Sequence, residues 1–329
     1  MALKLALLGA GRIGKAHARA VSANPDATLS AVADAMPASA EALAKQYGCP
    51  VATIDEIEED VSIDGVIICT PTPTHADLIE QFARAGKAIF CEKPIDLDVD
   101  RVRQCLVVVE KTGASLMVGF NRRFDPHFAS AKTAITDGKI GKVELVQITS
   151  RDPAPPPIDY IKVSGGIFRD MMIHDFDMAR FLLGEEPVNV FASGSVLVDP
   201  AIGEAGDVDT ATATLTTASG KQCVITNSRR ASYGYDQRID VHGSLGSVTI
   251  DNQRDTSLEL ATSDGYIRAP LLNFFMERYE RAYANEIADF VANVRDGKAS
   301  SPNGVDGLQS LRIADAAVRS LQEGHSVAI

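Results

Sequence analysis

The stretch Leu5-Ala6-Leu7-Leu8-Gly9-Ala10-Gly11-Arg12-Ile13-Gly14 decides how this chain begins to fold. Four apolar residues read as a strand core. The next six fit G-x-G-x-x-G at the point where a helical pattern opens, over residues 12–23. In that setting each glycine has a physical reason. Gly9 allows a tight turn, Gly11 lets the backbone approach a pyrophosphate, and Gly14 lets helix and strand pack closely. The helix N-terminus presents amides and a positive dipole end to phosphates. Gly9, Ala10, Gly11, Arg12, Ile13 and Gly14 are therefore candidate cofactor contacts. A second strand, over 29–33, ends at Asp34, 20 residues after Gly14. A carboxylate there accepts hydrogen bonds from the adenosine ribose hydroxyls. It also repels a 2′-phosphate, and the following Ala35 and Met36 supply no cation, so the expected cofactor is NAD rather than NADP.

Outward from this motif the alternation continues. Helical patterns over 38–47, 74–85 and 98–112 stop at Gly48, Gly86 and Gly113, and apolar strands over 65–69, 88–91 and 115–120 separate them. Strands alternating with such helices imply βαβ units and a doubly wound parallel sheet. After Phe120 the pattern changes. Alternating strands follow over 143–151, 188–198, 208–217, 222–228, 237–242 and 247–251, with helices over 128–136 and 168–183. Amphipathic helices over 273–295 and 307–322 finish the chain. Strands without helices between them imply an antiparallel sheet in a separate α+β domain. The expected fold is α/β, with an NAD-binding Rossmann domain over 1–120. A substrate-binding and oligomerisation α+β domain follows over 121–329, built on a large open, mainly antiparallel sheet. Thr210, Thr212, Thr214 and Thr216 share one face of a strand, and the helices are too few to cover both faces of that sheet. The uncovered face is an expected subunit interface.

Composition narrows the class. The 329 residues carry 32 Lys and Arg against 44 Asp and Glu, a net charge of −12. Such a surface repels polyanions, so neither nucleic acid nor an acidic membrane is an expected partner. The five cysteines, Cys49, Cys69, Cys91, Cys105 and Cys223, are odd in number and form no C-x-x-C pair. They suit free thiols in a reducing, cytoplasmic compartment better than disulfides or a zinc site. No apolar run approaches the roughly 18 residues that span a bilayer.

The chemistry falls at strand ends. Cys69-Thr70-Pro71-Thr72-Pro73-Thr74-His75 follows a buried strand at the edge where open parallel sheets bind ligands. Thr70, Pro71 and Thr72 are candidate cofactor contacts, and His75 reads as a first-turn helix residue or a cofactor contact. Glu92-Lys93-Pro94 closes the next strand at the same edge, so Lys93 faces the crevice of the glycine loop. In the second domain, Gly165-Gly166-x₃-Asp170-x₃-His174-x₂-Asp177 places Asp170 and His174 at i and i+4 of one expected helix, on a shared face. Apolar neighbours such as Met171, Met172 and Phe176 leave the pair partly desolvated, where a carboxylate can hold an imidazole's orientation and basicity. Three readings are open: an acid–base dyad, a satisfied core histidine, or a metal site from His174, Asp175 and Asp177. No second His or Cys cluster supports a metal.

With these residues in view, the chain resembles the glucose–fructose oxidoreductase, inositol dehydrogenase and rhizopine-catabolism family of NAD(P)-dependent oxidoreductases. The resemblance rests on Gly9–Gly14, Glu92-Lys93-Pro94 and the Gly165–Asp177 segment, in that order along the chain. Closer matches are Gly119-Phe120-Asn121-Arg122-Arg123-Phe124-Asp125, Ser150-Arg151-Asp152-Pro153 and Tyr233-Gly234-Tyr235-Asp236-Gln237-Arg238. It implies oxidation of a cyclic polyol, myo-inositol first, by NAD without a metal, in a homotetramer. His174 would take the hydroxyl proton, Asp170 would orient His174, and Lys93 would stabilise the developing alkoxide. Glu92 would belong to the cofactor site. Asn121, Arg122, Asp152, Tyr233 and Tyr235 are candidates to hold the ring hydroxyls.

Overall fold

Short runs of Val, Ile, Leu and Phe with no polar alternation form strands only where both faces of a sheet are covered. Five such runs make the first sheet of the computed structural model, which describes residues 2–329. The elements are β1 (Leu3–Leu8), α1 (Arg12–Ala23), β2 (Ala27–Ala33), α2 (Pro37–Tyr47), α3 (Ile54–Glu59), β3 (Gly65–Ile68), α4 (His75–Arg84), β4 (Ala88–Glu92), α5 (Val99–Thr112) and β5 (Leu116–Gly119). The strand order is β2-β1-β3-β4-β5, all parallel. Local chemistry sets the helix ends. The Asp98 carboxylate accepts from the amides of Asp100 and Arg101 to start α5, and Gly113, at φ +68°, ends it. Thr53 and Glu56 form a reciprocal capping box on α3. From β1 the chain goes to β2 on one side, whereas β3 lies on the other. Their loops diverge at the carboxyl edge, the switch point where such sheets take ligands.

The second sheet is built from alternation. The chain continues through α6 (Pro126–Thr136), β6 (Val143–Arg151), α7 (Ile158–Ser164), α8 (Gly166–Asp170), α9 (Ile173–Leu183), β7 (Pro187–Ser195), α10 (Pro200–Glu204), β8 (Thr210–Thr217), β9 (Gln222–Ser228), β10 (Asp236–Gly243) and β11 (Gly246–Ile250). It then passes β12 (Glu259–Thr262), β13 (Gly265–Arg268), α11 (Phe275–Arg278), α12 (Glu280–Asp296), α13 (Gly304–Glu323) and β14 (Val327–Ala328). The seven-stranded order is β11-β10-β6-β9-β8-β7-β14. Only the β6–β9 pair is parallel, so the sheet is mixed and mainly antiparallel, as the pattern implies. Helix α9 lies on β6 and β9. On β8, Ala211, Ala213 and Leu215 are buried, while Thr210, Thr212, Thr214 and Thr216 point to the other face and keep exposure.

The structure departs from the sequence reading by adding the short helices α3, α7 and α10, by splitting the helix expected over 273–295 into α11 and α12, and in three further ways. The helix expected over 168–183 is two helices. The amides of both Met171 and Met172 take the Ile167 carbonyl, at 3.1 and 2.8 Å, and the ladder restarts with Asp175 on Met172. A wide turn of this kind interrupts the 3.6-residue period between Asp170 and His174. The second difference concerns the domains. One compact unit comprises residues 2–124 with Glu280–Leu311, and the other Asp125–Tyr279 with Arg312–Ile329. The boundary at 120/121 therefore does not hold for the chain's end. The apolar face of α12, with Ile287, Phe290 and Val291, completes the core of Leu5, Leu7, Phe90 and Met117 in the first unit. Third, the exposed hairpin β12–β13 carries charge on both strands and shows no burial alternation, so periodicity misses it.

Candidate active site

The loops that follow β1 and β3 meet at the switch point. Gly9 stands at φ +99°, and a Cβ there would lie 2.5 Å from the Cys69 carbonyl oxygen. A Cβ on Gly14 would strike the Gly9 carbonyl, so helix and loop also touch. Gly11 differs: nothing lies within 4 Å of a Cβ built there, and the first turn of α1 has no side-chain cap. Bare backbone left open at a helix N-terminus suits a pyrophosphate. Arg12 is exposed beside it, Ile13 is half-buried and Ala10 is buried. Asp34 closes the other end of this site. Its Oδ2 accepts from the Ala10 amide at 2.6 Å, and its Oδ1 from the Met36 amide at 2.7 Å. The carboxylate thus shapes the loop and keeps lone pairs for a ribose diol. These residues fit NAD.

Beyond β3, Thr70 and Thr74 join their hydroxyls at 2.7 Å, and the Thr74 amide donates to the Pro71 carbonyl at 3.0 Å. This tight turn holds Thr70 and Thr72 half-buried and Pro71 exposed at the edge. The His75 ring packs against this turn from the inside. The ring is buried, with Nδ1 2.7 Å from the Pro94 carbonyl oxygen and Nε2 2.7 Å from that of Thr70. His75 opens α4, in keeping with the first-turn reading, and its ring links two loops. Lys93 follows β4 and is half-buried, across a cis bond to Pro94. Glu92 is turned inward, its Oε1 2.6 Å from Nε2 of the buried His17. Asn121 and Arg122 open a 3₁₀ turn after β5 and are both 4% exposed, hence mostly enclosed by protein.

In the second unit, Asp170 ends α8 and His174 lies in the first turn of α9. Between Met171 and Arg180, His174 alone keeps partial exposure. Asp170 is held by residues that the sequence reading passes over. The Tyr160 hydroxyl donates to its Oδ1 at 2.8 Å, and Nη1 of Arg229 stands 3.5 Å from its Oδ2. Burial, with the charge of Asp170 next, pushes the Tyr160 hydroxyl pKa well above its ordinary value, so it remains a donor. Arg229, only 1% exposed, also lies 3.6 Å from Asp207. The Asp207 Oδ1 in turn accepts from the Ile167 amide at 3.0 Å, and a Cβ on Gly166 would come within 2.8 Å of that oxygen. The Gly165-Gly166 motif is thus the seat of Asp207, and Asp207, Arg229, Asp170 and Tyr160 form one network. Asp152, half-buried after β6, adds its negative charge near Tyr160.

The alternative metal set does not assemble. Asp175 is fully buried and accepts from Ser150 Oγ at 2.6 Å and Asn227 Nδ2 at 2.9 Å. Asp177 faces Arg180 at 3.6 Å. Tyr235 is a core residue with its ring edge-on to Tyr279. The Tyr233 hydroxyl accepts from Arg151 at 2.8 Å and donates to Asp236 at 2.7 Å. It lines two open hollows of about 470 and 300 Å³, and neither includes Lys93, Asp170 or His174. The structure therefore gathers Asp170, His174 and the network that holds Asp170, but sets Tyr233 and Tyr235 among other partners.

Comparison with known proteins identifies the family. Residues 3–120 match the oxidoreductase family with an NAD-binding Rossmann fold, and residues 128–249 match the GFO/IDH/MocA C-terminal domain. The inositol 2-dehydrogenase of Rhizobium meliloti (strain 1021) is 66% identical over 329 residues, all of both chains. A crystal structure of a myo-inositol dehydrogenase from Corynebacterium glutamicum superposes with a TM-score of 0.96 at 44% identity, covering 100% of this chain and 99% of that one. The scyllo-inositol dehydrogenase from Lactobacillus casei, with bound NAD(H) and scyllo-inositol, gives 0.93 at 29% identity, covering 100% and 99%. No helix is long and apolar enough to cross a membrane among the described residues. The chain thus belongs to the GFO/IDH/MocA family of NAD-binding oxidoreductases.

Proposed function

We propose that this protein oxidises myo-inositol at its 2-hydroxyl to 2-keto-myo-inositol with NAD. The observation that carries the reading is full-length 66% identity to an inositol 2-dehydrogenase. The chain's own residues supply a complete set of roles. His174 takes the hydroxyl proton at its exposed edge. Asp170, held by Tyr160 and Arg229, orients His174 and steadies the imidazolium. Lys93 donates to the reacting oxygen and stabilises developing negative charge. NAD, when bound, accepts the hydride from the carbinol carbon. The glycine loop and α1 take its pyrophosphate, and Asp34 takes its adenosine ribose. Asn121, Arg122 and Asp152 are assigned to ring hydroxyls. A polyol bound without a metal needs such donors and acceptors, because base and cation do the work of a Lewis acid.

A second reading, scyllo-inositol as substrate, is favoured by the likeness to the scyllo-inositol enzyme. The two differ in one hydroxyl's orientation. A panel of inositols and sugars with NAD and NADP, followed by absorbance of the reduced cofactor, decides between them. Highest kcat/KM with myo-inositol and NAD is expected; a higher value with scyllo-inositol or a hexose overturns the substrate assignment. The protein is assigned to the cytoplasm and its assembly to a homotetramer, the assembly supported by the partly exposed threonine face of β8. Light scattering at micromolar concentration tests it, and a monomer mass rejects it.

A further inference from the structure

The first unit contains two buried histidines, His17 and His75, and neither has a role in the chemistry above. Each meets a residue adjacent to Lys93. His17, on α1 just past the glycine loop, places Nε2 2.6 Å from Oε1 of Glu92. His75, at the start of α4, places Nδ1 2.7 Å from the Pro94 carbonyl oxygen and Nε2 2.7 Å from that of Thr70. The exposures are 0% and 2%, so water does not compete for these contacts. The Glu92 carboxyl is also wedged from the far side: it lies 3.1 Å from where a Cβ on Gly119 would stand. We propose that His17 and His75 are positioning residues that clamp Glu92-Lys93-Pro94 from both sides, tying Lys93 to the two loops that border the cofactor site. The inference rests on the reading of Lys93 as the group that meets the reacting oxygen.

A metal site is the competing explanation, because donor atoms of His17, Glu92 and Glu286 all lie within 4.8 Å of one another. Distance argues against it. Neighbouring donors about 2.1 Å from a divalent ion stand roughly 3 Å apart, whereas His17 and Glu92 are 2.6 Å apart, a hydrogen bond. Burial, with the charge of Glu92 next, pushes the Glu286 carboxyl well above the usual range, which favours its neutral form where no cation stands beside it.

The atoms used give the clamp a specific signature. An Asn amide occupies about the place of a histidine's Nδ1, and a Gln amide that of Nε2, and either can donate. His17 acts through Nε2 and His75 reaches Pro94 through Nδ1. His17→Gln and His75→Asn should therefore retain kcat within about threefold. His17→Asn and His75→Gln should lose about tenfold, the scale of one hydrogen bond's worth of positioning. The losses should shrink below about twofold when measured in a Lys93→Ala background, since a clamp has no effect on an absent ammonium. Equal losses in both backgrounds, or the same ranking of Asn and Gln at both histidines, overturn the clamp. Stoichiometric zinc or manganese in the purified protein, lost on His17→Gln, replaces it with a metal site. Lys93→Ala alone is the control for the underlying reading. If that variant keeps normal kcat, the role of Lys93 falls; if it is slow and the histidine effects do not couple to it, only the clamp falls.

Discussion

Arg229→Met removes a guanidinium that stands 3.5 Å from Asp170 and 3.6 Å from Asp207 while keeping most of the buried stem. Unit charges at that separation attract by about 5 kcal/mol at an effective dielectric near 20. Desolvation of the buried groups cancels much of this, yet truncating one member of a buried pair costs about 3–5 kcal/mol, because the carboxylates stay behind without their cation. The Nε and Nη2 atoms make no hydrogen bond, so the contacts are Coulombic rather than bidentate. That places the expected loss at the lower end, about 3 kcal/mol. A unit of this size melts about 2–4 °C lower per kcal/mol, so Tm should fall by about 6–12 °C. Removing one of the two stranded charges should return roughly half of it, and Arg229→Met with Asp207→Asn tests that. Below the melt, kcat should drop about tenfold, because Asp170 keeps Tyr160 but loses a fixed charge. KM for NAD should not move, since the glycine loop belongs to the other unit. Circular-dichroism melts and steady-state kinetics at one pH measure all three. An unchanged Tm refutes the charge argument outright. A lowered Tm with no recovery in the double variant shows that packing of the stem, not charge, is what Arg229 contributes.

His174→Ala should lower kcat by about 10²–10⁴-fold and Asp170→Asn should also be slow, with NAD binding by titration unchanged; near-normal kcat in His174→Ala removes it as the base. Asp34→Asn keeps an acceptor for the Ala10 amide but drops the charge, so the ratio of kcat/KM for NAD over NADP should fall about tenfold or more; an unmoved ratio locates cofactor choice elsewhere. Glu286 gives a pH prediction. Its folded pKa is raised, so its stabilising contribution is complete below the ordinary carboxyl range and is lost as pH rises toward the folded value. Glu286→Gln, a neutral mimic, should therefore raise Tm more at pH 8 than at pH 5, and a Gln variant less stable at pH 8 contradicts the neutral acid.

The parts of this protein that sequence pattern exposes are those in which apolar period and local chemistry coincide. The parallel strands read directly because Gly65–Ile68 and Leu116–Gly119 are buried on both faces, and the glycine loop reads because its spacing is local, although only Gly14 is excluded from bearing a Cβ by a near neighbour, Gly9, whereas Gly9 is excluded by Cys69 on the loop after β3. What pattern reading passes over is charge that sits in phase with apolar residues. Along β9 the buried positions are Cys223, Ile225 and Asn227, and the next in that phase is Arg229. On α12, Glu286 lies on the same face as Ala282, Tyr283, Ile287 and Phe290. On α1, His17 lies with Gly14, Ala18 and Val21. An ionisable residue on a buried face is costly unless it is paired or neutral. Two of these three therefore signal a partner far away in sequence, Asp170 and Asp207 for Arg229 and Glu92 for His17, whereas burial of Glu286 favours its neutral form. Asp170 and His174 were legible as a pair but not in geometry, because the shared Ile167 carbonyl separates α8 from α9 and the Ile167 amide is bound by Asp207, 40 positions away. Periodicity reports which face a residue takes, whereas the chemistry of this site depends on which buried charges find one another across the sheet.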